Sequence, residues 1–170
     1  MPRVGVVCCA AGGVEAVRCE LVEPLLAEGW AVGVTATPTA YRWLADLGEV
    51  ARLEAATGLV CRAGSRLPHE DRPHPDPDCW AVVPASANTV AKLALGIADN
   101  QATTQVCEGL GNGLPVVVVP RVDAGLRQHP AFAGHLETLR TAGAVLVGNG
   151  DSPVPWGDVL AAVRAAAPYR

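Results

Sequence analysis

Five short apolar runs, Val4–Cys8, Ala31–Thr35, Trp80–Pro84, Pro115–Val119 and Ala144–Val147, recur along the chain, with helix-length segments between most of them. Apolar residues three or four apart mark those segments as helices packed on a sheet, and the runs as buried strands. In Val14–Glu28, for example, Val14, Val17, Leu21, Val22, Leu25 and Leu26 share one side, and Gly29 ends the expected helix. Alternation of this kind requires right-handed crossovers between parallel strands. The predicted architecture is therefore α/β: a Rossmann-like, doubly wound parallel sheet in a single domain, residues 1–170, with ligands at the carboxyl ends of the strands. Half of the 170 residues are hydrophobic but only 4% are aromatic, so the core must be built from Val, Leu and Ala, as suits a parallel sheet covered by helices.

A formal net charge of −4 and scattered arginines argue against nucleic acid as a partner, whose usual footprint is a clustered basic surface. The six cysteines, Cys8, Cys9, Cys19, Cys61, Cys79 and Cys107, contain no C-x-x-C pair, and most lie in apolar runs where a reduced thiol behaves as a small core residue. No metal site is expected. Arg3 is followed by too few apolar residues for a leader or membrane segment, which predicts a soluble, cytoplasmic protein with reduced thiols. Irregular stretches at 62–78 and 148–155 read as exposed loops, the second rich enough in Gly and Pro to serve as a mobile lid.

The richest segment chemically is Pro84-Ala85-Ser86-Ala87-Asn88-Thr89, where a strand ends, a turn of small polar residues follows and a helix opens. That order delivers several free backbone N–H groups to one spot, suited to an anion or an electron-rich ring. After the first strand, Cys8-Cys9-Ala10-Ala11-Gly12-Gly13 offers a second small-residue approach to a helix start, fit to cradle a phosphate. The G-x-G-x-x-G dinucleotide fingerprint is absent.

The intact PASANT turn, followed by Gly96, Asp99, Asn100 and Thr104 in a G-x-x-D-N-x-x-T run, resembles the flavin-dependent cysteine decarboxylases, FMN proteins that include phosphopantothenoylcysteine decarboxylases and enzymes acting on a peptide's C-terminal cysteine. The resemblance implies FMN, with Pro84, Ala85, Ser86, Ala87, Asn88, Thr89, Asp99 and Asn100 near the flavin and Cys9, Ala10 and Ala11 in the turn at its phosphate. Cys8 and Cys9 stand where the family's G-V-T-G-S-I-A-A segment has Gly and Ser. Thr37 falls where a family hydroxyl helps hold the phosphate, a role compatible with capping a helix that has Pro38 at its first position. The family's catalytic base is a histidine upstream of the turn. His69 lies within one position of the family spacing, and His74, closer to the strand, is the alternative.

Pro120 to Pro130 occupies the place of the substrate motif P-x-M-N-x-x-M-W-x-x-P, with both prolines in register but Asp123 standing for the asparagine that bonds the departing carboxylate. An ionised aspartate repels a carboxylate, so either Arg121 and Arg127 compensate in a rewired site or the chain takes a different substrate. No cysteine follows Cys107, whereas phosphopantothenoylcysteine decarboxylases carry one in a C-terminal flap that reduces the enethiol. The resemblance thus implies FMN-dependent oxidative decarboxylation of a peptide or small thiol carboxylate to an enethiol, by a homo-trimer or dodecamer. The alternatives are an FMN-binding subunit without decarboxylase activity and a flavin prenyltransferase, the latter suggested by Val119-Pro120-Arg121 and His135-Leu136.

Overall fold

All five apolar runs form strands, and the strands form one parallel sheet. In the computed structural model, which describes residues 1–167, β1 (Arg3–Cys8), β2 (Ala31–Ala36), β3 (Cys79–Ala85), β4 (Val116–Pro120) and β5 (Val145–Leu146) lie in the order β2-β1-β3-β4-β5. The last three residues of the expected domain, 168–170, fall outside the described residues. In-register pairing such as Val6 with Val34 on one side and Ala81 on the other aligns the apolar alternation of neighbouring strands. Val4, Val6, Cys8, Val32 and Val34 therefore face one helical layer, while Val7, Cys9, Val82 and Val118 face the other.

The first layer contains α1 (Glu23–Ala27), α2 (Pro38–Asp46), α3 (Glu49–Thr57) and α8 (Trp156–Ala166). The second contains α4 (Ala87–Leu95), α5 (Gln101–Gly111) and α7 (Phe132–Thr141), with the short α6 (Ala124–Arg127) preceding α7. In the second layer the Trp80 ring occupies space left by two glycines. A β-carbon at Gly5 would sit 2.2 Å from Trp80 Cζ3, and one at Gly109 would sit 2.5 Å from Cδ1. No helix among the described residues is long and apolar enough to cross a bilayer.

The segment read as a single helix from Val14 to Glu28 is subdivided. A 3-10 turn at Val14–Ala16 is followed by a π-helical turn at Arg18–Val22, and only then by α1. Pro24 accounts for the change: it has no N–H to give to the carbonyl of Glu20 and its ring crowds that carbonyl, so the preceding turn widens. Gly29 closes the segment as expected, at φ 82°. Arg18 on the widened turn reaches across to α3, where its Nε donates to Glu49 Oε2 at 2.8 Å while Arg52 donates to Oε1 at 2.7 Å. Glu49 is only 6% exposed. The hydrogen bond from Arg18, aided by Arg52, holds its carboxyl below the usual carboxylate range against the opposing effect of burial.

Candidate functional site

The chain reverses its direction of travel across the sheet between β1, which pairs with β2, and β3 on its other side. Ligands of open α/β sheets bind at such a switch point. Backbone hydrogen bonds tie the loops there together: Cys9 N–H donates to Pro84 O at 3.1 Å, Thr37 N–H to Cys8 O at 2.9 Å and Arg121 N–H to Ala85 O at 2.9 Å. Residues distant in sequence thus become one edge.

That edge is rich in unused donors. Within the β1 turn, Ala11 N–H is taken by Cys9 O and Val14 N–H by Ala11 O, whereas no backbone acceptor among the described residues takes the N–H of Ala10, Gly12 or Gly13. Gly13 adopts φ 96°, which a side chain would resist. Ser86 caps α4, its Oγ accepting from Thr89 N–H at 3.2 Å, and leaves the first-turn N–H groups of Ala87 and Asn88 unused. Thr37 caps α2 in the same way, Oγ1 accepting from Ala40 N–H at 3.4 Å, with Pro38 next. Two helix starts and a glycine turn therefore face one space, and their dipoles favour negative charge there.

Cys9 stands behind this edge. Its thiol is buried against Ser86 and Thr89, and burial pushes its pKa up despite their hydrogen bonds, so it remains a neutral brace between the first strand and α4. Asn88 is exposed at the turn. Asp99 and Asn100 lie elsewhere, beyond the nine residues of α4, about 13 Å of helix. Asp99 pairs with Lys92 at 2.6 Å, and Asn100 caps α5 through Thr103 in a reciprocal capping box.

The two histidines part company. His74 packs its ring on Gly33 and its Nε2 lies 2.7 Å from Val60 O, in a groove of about 510 Å³ between the 66–77 segment and α5. That groove opens on the second sheet face, away from the laced edge. His69 is exposed in a turn anchored by Glu70, which accepts from Leu67 N–H at 2.9 Å and from Arg62 at 3.4 Å. Arg62 bridges to Thr35 at the carboxyl end of β2, so the His69 turn is tethered on the Thr37 side.

The two arginines differ as well. Arg121 lays its guanidinium against the β1 turn: a β-carbon at Gly12 would be 3.5 Å from its Nε and 3.8 Å from its Nη2. No carboxylate among the described residues pairs with it. Arg127 is committed, its Nε donating to Val122 O at 3.2 Å. Asp151 is held below the usual carboxylate range by hydrogen bonds from Ser152 and Asn149 and by the nearby charge of Arg127. Asp123 is exposed; it occupies the N-cap position of α6, where its carbonyl accepts from Arg127 N–H but its carboxylate makes no cap bond.

The glycine-rich 148–155 loop is seated on the site, a placement its composition does not reveal. Gly150 bridges to Arg121 and accepts Val122 N–H at 3.0 Å, and Val154 lies over Gly13, whose β-carbon would be 2.9 Å from Val154 Cγ2. The spacing Gly148-Asn149-Gly150 is the one local signal, since both glycines take positive φ.

A parallel sheet whose switch point gathers helix starts, small residues and one uncommitted arginine defines a protein that holds an anionic, nucleotide-like ligand. Residues 1–166 match the Flavoprotein family, and the chain belongs to it. It is 31% identical over 141 residues to the coenzyme A biosynthesis bifunctional protein CoaBC of Bacillus subtilis (strain 168), covering 79% of this chain and 33% of that protein. The match to CoaBC thus spans about a third of that curated relative's length. Among solved structures it is similar to the FMN-dependent cysteine decarboxylase TvaF from thioviridamide biosynthesis, with a TM-score of 0.74, 24% identity and 98% of each chain covered. The cypemycin decarboxylase CypD gives 0.75 at 20% identity, covering 98% of this chain and 93% of that one. These likenesses establish the shared fold.

Proposed function

We propose that the chain binds FMN at the laced edge and there decarboxylates a thiol carboxylate of the cysteine type, whether that cysteine ends a peptide or stands alone. The observation that carries this reading is the convergence of unused N–H groups from the Ala10–Gly13 turn and the α4 start with the half-buried guanidinium of Arg121. The residues fit the cofactor: Gly12 and Gly13 have no β-carbon to obstruct a phosphate, and Ala10, Ala11 and Thr37 line its approach. Pro84, Ala85, Ser86, Ala87, Asn88 and Thr89 offer small side chains and backbone donors to a flat ring.

When bound, FMN supplies the two-electron oxidation of the thiol-bearing carbon, after which the carboxylate leaves because the resulting charge spreads onto sulfur. The chain's own work is positional. His69 accepts the thiol proton at a ring nitrogen. Arg121 orients the carboxylate, and the 148–155 loop, held by Gly150 and Val154, keeps water from the edge. Arg127, bonded to Val122 O and packed on Gly150, secures that loop to the segment after β4.

Asp99 and Asn100, bound up at the far end of α4, are assigned to a neighbouring copy's cofactor in a homo-trimer or dodecamer. The apolar surface beside them, with Leu95 63% and Ile97 43% exposed, supports such an association. A second reading, an FMN-binding subunit without decarboxylase activity, is favoured by the exposed Asp123 where the decarboxylases place asparagine. The deciding experiment is mass spectrometry of L-cysteine and cysteine-ending peptides incubated with FMN-loaded protein. Loss of CO2 with two hydrogens is expected, and unchanged substrates across the panel, with flavin bound, establish the second reading instead.

A further inference from the structure

We propose that the loop after β4 reads a zwitterion, so that the site takes a free α-amino acid of the cysteine type in preference to a cysteine whose nitrogen is acylated in a peptide. This narrows the decarboxylase reading above and rests on it. The loop carries three charges, and the structure disposes of only one. Arg127 is tied to Val122 O and lies near Asp151. Arg121 and Asp123, two residues apart, pair neither with each other nor with any other charge among the described residues.

Their relative placement follows from the backbone. Val122 between them is 3% exposed, and the N–H groups of Arg121 and Val122 point to opposite neighbours, Ala85 O at 2.9 Å and Gly150 O at 3.0 Å, as along a strand. Along an extended segment alternate side chains share a side. With Val122 turned into the core, residues 121 and 123 therefore stand together on the outer side. An N-cap aspartate's carboxylate ordinarily accepts from its own helix, but that of Asp123 makes no such bond, so its charge is left available.

A guanidinium beside a carboxylate complements one chemical pattern closely, an α-carboxylate and an α-ammonium on the same carbon. An acylated nitrogen presents only an N–H dipole, too weak to offset the repulsion between Asp123 and a bound carboxylate; an ammonium offsets it directly. What disfavours a peptide's C-terminal cysteine thus becomes a selective contact for the free amino acid.

Calorimetric titration with L-serine and N-acetyl-L-serine, which lack the reacting thiol, tests recognition apart from turnover. FMN-loaded wild-type protein is expected to bind L-serine about fivefold more tightly than its N-acetyl form, the size an exposed ion pair supports. Asp123→Asn should abolish the preference, and Arg121→Gln should abolish binding of both ligands, with the flavin content of each variant read from its absorbance. Equal or tighter binding of N-acetyl-L-serine overturns the proposal, as does no binding of either ligand, or a preference that survives Asp123→Asn. Loss of FMN rather than of serine in Arg121→Gln makes Arg121 a phosphate ligand and also overturns it. Failure of the decarboxylase reading looks different: the serine preference persists while flavin-loaded protein leaves L-cysteine unchanged.

Discussion

Ser86 carries more of the site than its size suggests. Its hydroxyl caps α4 through Thr89 N–H and lies in hydrogen-bonding contact with the buried Cys9 thiol, so one oxygen joins the end of β1 to the helix that opens the laced edge. Ser86→Ala should lower stability by about 1 kcal/mol in urea denaturation, the cost of a lost cap, and weaken FMN binding together with it. Gly5 is a second single-atom constraint. Gly5→Ala drives a methyl into the Trp80 ring and should cost about 1–3 kcal/mol. In a double-mutant cycle, Trp80→Leu should recover much of that loss, whereas additive effects would show that the ring is not the obstacle.

At the scale of elements, the expected strands and the observed ones coincide to within a residue or two because runs such as Val116-Val117-Val118-Val119 are buried on both faces and admit no other structure. The PASANT turn was equally legible, since strand end, small residues and helix cap all lie within six consecutive positions. The subdivision of the first helix was not read from its periodicity, although Pro24 announces it. The separate fates of Arg121 and Arg127 were out of reach, because they depend on Gly12 and Gly150, distant in the chain.

The same long-range logic yields two tests. Gly13→Ala strains a φ of 96° and pushes Val154 aside, so the 148–155 loop should become more open to limited proteolysis while the sheet remains folded. Glu49 joins the π-helical turn to α3, and its depressed pKa sets a direction with pH. Stability from Glu49 is fully present above the unfolded carboxyl pKa, about 4.3, and is lost as pH falls through the lower folded value. Between neutral pH and the acid range, wild-type protein should therefore lose more stability than Glu49→Gln, as followed by denaturant midpoints.

For the whole molecule, a ligand that binds only the folded state must raise its melting temperature. FMN at a hundredfold excess over its Kd should add about 2.7 kcal/mol, roughly 5–10 °C for a chain of this size. Light scattering of the FMN-loaded protein should show a trimer or a multiple of it, and Ile97→Asp should return it to monomers if the surface beside Asp99 is the contact. The laced edge draws on positions near 10, 37, 86, 121 and 150, joined by hydrogen bonds between strand ends. No contiguous fragment contains it. A nascent chain therefore has nothing to offer riboflavin phosphate until the 148–155 loop has left the ribosome, and cofactor capture should wait for that moment.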